Sequence, residues 1–89
     1  MINLERTKTF IKDMSRIRFT DTQYSKYILY VGKLLQEEAL PYEARDHHLV
    51  GNWGTFREFH ISGDLLVIYK VEKGILYLVR IGTHSQLFK

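Results

Sequence analysis

The sequence contains no cysteine, only one proline and no long apolar run. Without cysteine the chain has neither a disulfide framework nor a thiolate metal site, which fits a reducing compartment. No stretch reaches the roughly 18 apolar residues of a membrane helix, and the N-terminus MINLERTKTF carries charges where a signal peptide is apolar. We therefore expect a soluble, cytoplasmic protein without a membrane partner.

The composition is that of a folded protein, with 45% hydrophobic and 13% aromatic residues among 89. A chain of this length predicts a single domain spanning residues 1–89. The formal net charge of +3 favours an anionic partner such as nucleic acid. Charge alone does not establish one, because many basic proteins bind nothing anionic.

A first amphipathic helix is predicted between Thr7 and Ile17. Its expected apolar face consists of Phe10, Ile11, Met14 and Ile17. Its basic residues Lys8, Lys12 and Arg16 follow one another every four residues. They form either a stripe that contacts a phosphate backbone or an ordinary solvated helix face.

A second helix is predicted from Asp21 to about Glu38, stopped by Pro41. Thr20 and Gln23 have the spacing of a capping box at its start. Its expected core-facing residues are Tyr24, Tyr27, Ile28, Val31, Leu34 and Leu35.

The second half of the chain has the periodicity of strands. Three are predicted, at residues 55–61, 65–71 and 75–81, and turn segments separate them, so they form an antiparallel meander. Residues 2–6 are expected to add an edge strand, and a loop is expected from Pro41 to Gly54. The predicted fold is α+β, in the order β-α-α-β-β-β, with two helices on one face of a small sheet and a short C-terminal turn or helix.

Polar side chains are expected to meet at one rim of this sheet. In a meander the end of the first strand, the first turn and the end of the third strand share an edge, which brings His60, Asp64 and Arg80 together. His84 follows across Gly82, which allows a bend back over the rim. His47 enters from the preceding loop, and its position is the least determined.

A cluster of imidazoles, a carboxylate and a guanidinium suits cleavage of RNA by its own 2′-hydroxyl. The protein then supplies a base, an acid and a cation: imidazoles titrate near neutral pH, and Arg80 can stabilise charge on the phosphate. This reaction needs no metal or cofactor, and DNA is not a substrate because it lacks the 2′-hydroxyl. A metal site and a serine hydrolase fit less well, since no helical His pair and no nucleophile elbow is present. Each residue also has a structural interpretation, such as a turn for Asp64 or an ion pair with Glu58 for Arg80.

Three stretches resemble the YafQ branch of the RelE-like toxins of bacterial toxin-antitoxin systems. They are DHHLVGNW, FREFHISGDLLVIYKV and LVRIGTHSQLF, which cover most of the second half of the chain. The resemblance implies a small α+β ribonuclease that cleaves mRNA in the ribosomal A site and is neutralised by a cognate antitoxin of the DinJ or RelB type.

The resemblance also implies roles for individual residues. His47, His60, Asp64 and His84 occupy the acid and base positions of the family. By the same alignment, Arg80 stabilises the phosphate and Phe88 contacts a base of the codon. We favour His84 as the general acid, with His60 or His47 near the 2′-hydroxyl and oriented by Asp64. The basic stripe of the first helix then gains a possible role in gripping ribosomal RNA.

Two other functions remain open at this stage. One is a ribonuclease that does not need the ribosome, which the same residues permit. The other is a non-catalytic toxin like the ParE branch, which binds DNA gyrase and lacks this set of histidine, aspartate and arginine residues. Replacement of His60 and His84 distinguishes a catalytic toxin from a non-catalytic one.

Overall fold

The computed structural model describes residues 1–88, without the side chain of Asn52, and shows the expected α+β fold. The strands are β1 (Asn3–Arg6), β2 (His47–His48), β3 (Arg57–Ser62), β4 (Leu65–Glu72) and β5 (Ile75–Thr83). The helices are α1 (Lys8–Met14), α2 (Asp21–Leu35) and α3 (His84–Leu87), and single 3₁₀ turns occur at Tyr42–Ala44 and Gly51–Trp53. The predicted order of helices and strands is confirmed.

All strands belong to one sheet in the order β1-β5-β4-β3-β2. The predicted meander of β3, β4 and β5 is antiparallel, and the predicted edge strand β1 runs parallel to β5. Strand β2 was expected to be loop, but His47 pairs with Glu58 and His48 with Arg57. A two-residue strand is too short to show periodicity, so its pairing depends on the tertiary structure.

The two faces of the sheet have different surroundings. One face packs against α1 and α2 and forms the main core, which includes Phe59, Val67 and Tyr69. The register of β4 with β5 shifts at Val79, so that Leu78 and Ile81 both belong to this core. The opposite face has a smaller apolar cluster around Leu66, Ile68 and Leu87, without a covering helix of the length of α2.

Helix α1 is shorter than predicted, because it ends at Met14 and not at Ile17. The hydroxyl of Thr7 caps it by accepting the Phe10 N–H at 3.0 Å. Its expected apolar face is correct for Phe10 but wrong for Ile11, which is 46% exposed. Asp13 is buried instead, because its carboxylate binds strand β5.

Helix α2 starts at the predicted capping box of Thr20 and Gln23. It ends at Leu35, three residues before the predicted end, in a Schellman motif: Glu37 is left-handed at φ 60°, and the Glu38 N–H donates to the Lys33 carbonyl at 2.9 Å. The sequence has no glycine at this helix end that would have predicted it. Pro41 therefore lies beyond the helix and does not terminate it.

The expected core-facing residues of α2 are partly wrong. Val31 and Leu34 are buried, and Tyr27 and Leu35 pack against the core, but Tyr24 and Ile28 are 49% and 55% exposed. Tyr30 is the tyrosine that enters the core, where its ring meets Phe59 edge-on at 5.7 Å. Among the described residues, no helix is long and apolar enough to cross a membrane.

Candidate active site

Two histidines share one buried carboxylate on the open face of the sheet. Glu58 is 3% exposed, and its Oε2 lies 2.8 Å from His60 Nε2 and 3.5 Å from His47 Nε2. The strands explain this: His60 follows Glu58 by two residues in β3, and His47 is the β2 partner of Glu58, so all three side chains face one way. The two imidazole rings lie 6.3 Å apart at 21°.

The outer nitrogens of the two imidazoles have different partners. His60 Nδ1 faces the guanidinium Nη2 of Arg45 at 3.4 Å, so Nδ1 is the acceptor and Nε2–H donates to Glu58. His47 Nδ1 lies 2.6 Å from the carbonyl oxygen of Arg45 and therefore donates to it. These tautomers are assigned from the partners. In this assignment, Nδ1 of His60 carries no proton, whereas both nitrogens of His47 face hydrogen-bond acceptors.

His84 reaches the same region as the first residue of α3. Thr83 and Gln86 form a capping box that holds this short helix against the end of β5. The His84 ring lies 4.6 Å from the Phe88 ring, and Phe88 contacts Trp53 at 5.6 Å. Trp53 in turn meets Phe56 at 5.6 Å, which makes an aromatic wall beside the imidazoles.

A cleft of about 430 Å³ joins most of these groups, although His60 is not among the residues that line it. It is lined by His47, His48, Leu49, Val50, Trp53, Glu58, His84 and Phe88. Three predicted site residues, His47, His84 and Phe88, therefore lie around one concave surface. We call it the imidazole cleft.

Asp64 has a different partner from the one expected. It lies in the turn between β3 and β4, and its Oδ1 accepts the backbone N–H of His84 at 3.3 Å. Within the described residues, no hydrogen bond or ion pair joins Asp64 to an imidazole. The carboxylate that holds His47 and His60 is Glu58, so the expectation that Asp64 orients them is wrong.

Arg80 of strand β5 is held by helix α1. Its Nε donates to Asp13 Oδ2 at 2.7 Å and its Nη2 to Asp13 Oδ1 at 3.2 Å. The hydrogen bonds to Asp13 raise the pKa of the Arg80 guanidinium, and they outweigh its partial burial. Asp13 also accepts the Ile81 N–H at 3.1 Å. The expected meeting of Arg80 with His60 and Asp64 does not occur through any contact of the described residues.

The three predicted RNA-binding cations are all exposed. Lys8 and Lys12 lie on α1, whereas Arg16 lies in the turn after its end. None of the three forms an ion pair within residues 1–88, as expected for a solvated stripe or for a surface that awaits an anion.

Glu58 is the site residue that the sequence interpretation missed. One signal was available: Glu58 and His60 alternate onto the same face of a predicted strand. The other, its pairing with His47, depends on strand β2. A second network fixes that strand: Asp46 accepts from the Tyr69 hydroxyl at 2.5 Å and from Arg57 Nε at 3.1 Å. Burial and the hydrogen bond to Asp46 raise the pKa of Tyr69, which keeps it a donor.

Comparisons with known proteins agree on one family. The family described as the bacterial toxin of type II toxin-antitoxin systems, YafQ, matches residues 2–89. The mRNA interferase toxin YafQ of Escherichia coli is 33% identical over 90 residues, which cover 97% of this chain and 95% of that protein.

Solved structures give the same result. YafQ in the Escherichia coli DinJ–YafQ complex is 29% identical, with a TM-score of 0.84 over 100% of both chains. A copper-bound mutant toxin from Helicobacter pylori is 37% identical, with a TM-score of 0.86 over 99% of this chain and 100% of the other. The chain therefore belongs to the YafQ family of type II toxin-antitoxin toxins, whose fold is RelE-like.

Proposed function

We propose that this toxin is an endoribonuclease that cleaves mRNA in the ribosomal A site and so inhibits translation. The observation that carries the proposal is the pair of imidazoles on the buried carboxylate of Glu58, with a third imidazole, that of His84, on the cleft that His47 and Glu58 line. The relative in Escherichia coli is named an mRNA interferase. Because ribosomes and mRNA are cytoplasmic, we place its action there.

The proposed reaction is transesterification within the RNA. A base takes the proton of the 2′-hydroxyl, the 2′-oxygen bonds to phosphorus, and the bond from phosphorus to the 5′-oxygen breaks. An acid gives the departing 5′-oxygen its proton. The products are a 2′,3′-cyclic phosphate and a 5′-hydroxyl, and each proton taken is balanced by one given.

The hydrogen bonds suggest how the imidazoles divide these roles. His60 is the best candidate for the base, because its Nε2–H is held by Glu58 and its unprotonated Nδ1 has only a long contact of 3.4 Å to Arg45, which the 2′-hydroxyl can displace. His84 is the proposed acid, since its exposed ring lies on the cleft beside Phe88. His47 lines the imidazole cleft together with His84 and can contact the phosphate from its exposed side. Asp64 positions His84 through its backbone N–H.

Two further residues complete the proposed site. Asp13 occupies Nε and Nη2 of Arg80, which leaves Nη1 of the guanidinium for a phosphate oxygen of the substrate. Phe88 forms an aromatic wall with Trp53 on which a base of the codon can stack. Lys8, Lys12 and Arg16 are proposed to contact RNA backbone.

No step of this proposal passes through a metal ion. The Helicobacter pylori toxin was solved with copper bound. In the part of this chain that the structure describes, no group of three or more histidine, aspartate or glutamate side chains is arranged to hold a metal. Nε2 of His47 and Nε2 of His60 both face Glu58.

A cognate antitoxin is the proposed protein partner. The Escherichia coli relative was crystallised with DinJ, and a DinJ-like or RelB-like antitoxin would neutralise this chain in the same way. We expect coexpression of such a partner, encoded beside the toxin, to restore growth of cells that produce it.

The test is cleavage of an end-labelled mRNA with a defined A-site codon, on the ribosome and free in solution. We expect a cut only on the ribosome, ending in a 2′,3′-cyclic phosphate, and no cut when a single 2′-deoxynucleotide replaces the attacking one. Equal cleavage of free RNA would indicate a ribosome-independent ribonuclease. No cleavage by a folded, toxic protein would indicate a protein target such as that of the ParE-like toxins.

A further inference from the structure

A second concave surface lies beside the imidazole cleft, around the turn between α1 and α2. It consists of two adjoining clefts of about 320 and 410 Å³, which share Arg16, Ile17 and Gln86. One extends to Arg80 and the other to Asp64. We call the whole surface the arginine groove.

The free positive charges of the arginine groove are Arg16 and Arg18. Both are exposed, and neither forms an ion pair with any other described residue. The third guanidinium, that of Arg80, is neutralised by Asp13. The remaining carboxylate, Asp64, lies at the far end and faces a backbone N–H. The middle of the groove therefore attracts an anion.

The walls of the groove are polar and held in place. Gln23 Nε2 donates to Ser62 Oγ at 3.0 Å, which joins the start of α2 to the end of β3. On the other wall, Gln86 Oε1 accepts the Thr83 N–H at 2.8 Å. A Cβ at Gly82 would lie only 2.9 Å from Gln86 Oε1, so α3 packs closely against the backbone of β5 at Gly82.

The groove lies next to the imidazole cleft, on the other side of α3. Asp64 lines the groove, and its carboxylate binds the backbone of His84, whose side chain lines the imidazole cleft. Only the first turn of α3 separates the two surfaces. A strand whose scissile phosphate sits among the imidazoles therefore meets Arg16 and Arg18 within a few nucleotides.

We propose that the arginine groove binds backbone phosphates of the substrate mRNA strand next to the scissile link. This inference rests on the proposed function and deepens it, because it adds Arg18 and assigns Arg16 to the substrate instead of ribosomal RNA. One guanidinium group can bind two phosphate oxygens at once, and such contacts do not depend on the base sequence. The groove therefore sets the register of the strand and not its sequence preference. Its position next to the imidazole cleft, across the single turn of α3, favours the substrate strand over other RNA.

Equilibrium binding tests the groove without catalysis. Arg16→Gln, Arg18→Gln and Lys73→Gln are each made in a His84→Ala background that blocks cleavage, and binding of a labelled single-stranded RNA is measured over a range of salt. Lys73 is the matched control: it is exposed and lies in the β4–β5 turn, at the opposite end of the sheet from Asp64. Thermal unfolding of each variant verifies folding.

We expect the slope of log affinity against log salt to fall by about 0.7 for each arginine removed, because each phosphate contact releases counterions. Lys73→Gln should leave the slope unchanged. An equal change in all three variants would overturn the proposal, because it would mean a diffuse effect of net charge. Binding too weak to measure even at low salt would overturn it as well.

Neutral methylphosphonate links in the mRNA then identify the strand. On ribosomes that carry this mRNA, a neutral link at the phosphate bound by the groove should raise the half-saturating toxin concentration for the protein with His84 and both arginines intact. The same link should have no further effect in Arg16→Gln or Arg18→Gln. Additive effects at every position would show that the arginines contact other RNA, such as ribosomal RNA, and would overturn the assignment. If the protein with His84 intact cleaves no unmodified mRNA, the proposed function fails. The salt dependence of RNA binding still tests whether the arginine groove binds phosphates.

Discussion

Asp13 and Glu58 are the two buried carboxylates among the described residues, and their partners differ in kind. On the helix side, Asp13 binds the Arg80 guanidinium and the Ile81 N–H, neither of which changes its protonation state near neutral pH. On the open face, Glu58 binds two imidazoles, a type of group that can serve as acid or base. Burial alone therefore does not mark a reactive site; the chemistry of the partner does. Asp13 joins a helix to a strand, whereas Glu58 holds the two imidazoles that we propose take part in proton transfer.

The largest effect should follow from removing an imidazole of the Glu58 pair. Replacement of His60 by Gln keeps an N–H for Glu58 but cannot accept a proton, so we expect single-turnover cleavage on ribosomes to slow by about 10²–10⁴-fold. The unfolding temperature should barely change, and Lys73→Gln should cleave normally. Unchanged cleavage in His60→Gln would make the two carboxylates alike in function.

Removal of the other carboxylate should act on stability. Asp13→Ala leaves Arg80 and the Ile81 N–H without their acceptor, and we expect the free energy of unfolding to fall by about 2–3 kcal/mol. The partial exposure of Arg80 keeps this loss below that of a fully buried pair. For a domain of this size the unfolding temperature should drop by roughly 10–20 °C. Urea unfolding measures the loss, and a variant as stable as the natural protein would refute the structural role.

Replacement of Glu58 by Gln should have a smaller effect on rate than loss of an imidazole. Both imidazoles face the same carboxylate oxygen, Oε2, and an uncharged amide oxygen is a weaker acceptor, so both are held less firmly and we expect cleavage to slow by about 10- to 100-fold. The loss should appear in the rate constant at saturation and not in the half-saturating toxin concentration. A loss confined to the latter would mean that Glu58 shapes a binding surface only.

The smallest effect should come from a helix end far from both carboxylates. Glu37 is left-handed at φ 60° in the Schellman motif that ends α2, a conformation that glycine adopts without strain. We expect Glu37→Gly to raise the free energy of unfolding by about 0.5–1 kcal/mol. Thermal unfolding measures the gain, and cleavage should be unchanged. A destabilised variant would show that the Glu37 side chain contributes more than its backbone costs.

Local patterns were sufficient for much of the fold. Alternation predicted β3, apolar runs between turn residues predicted β4 and β5, and the Thr20–Gln23 spacing predicted the start of α2, because each depends on residues within a few positions of one another. The end of α2 was not predictable, because Glu37 occupies a conformation that sequence patterns assign to glycine. Strand β2 was not predictable either, since only its neighbours β3 and Asp46 create it.

For the candidate site, residue types and spacing were enough to identify the histidines, Asp64 and Arg80 as candidate site residues. Their partners were decided by the tertiary structure. The pairing of β2 with β3 puts His47 against Glu58, the docking of α1 gives Arg80 to Asp13, and the fold of α3 turns Asp64 toward the backbone of His84. The physical reason is range: a hydrogen bond to a buried carboxylate joins residues up to 68 positions apart in this chain, and no local pattern carries that information.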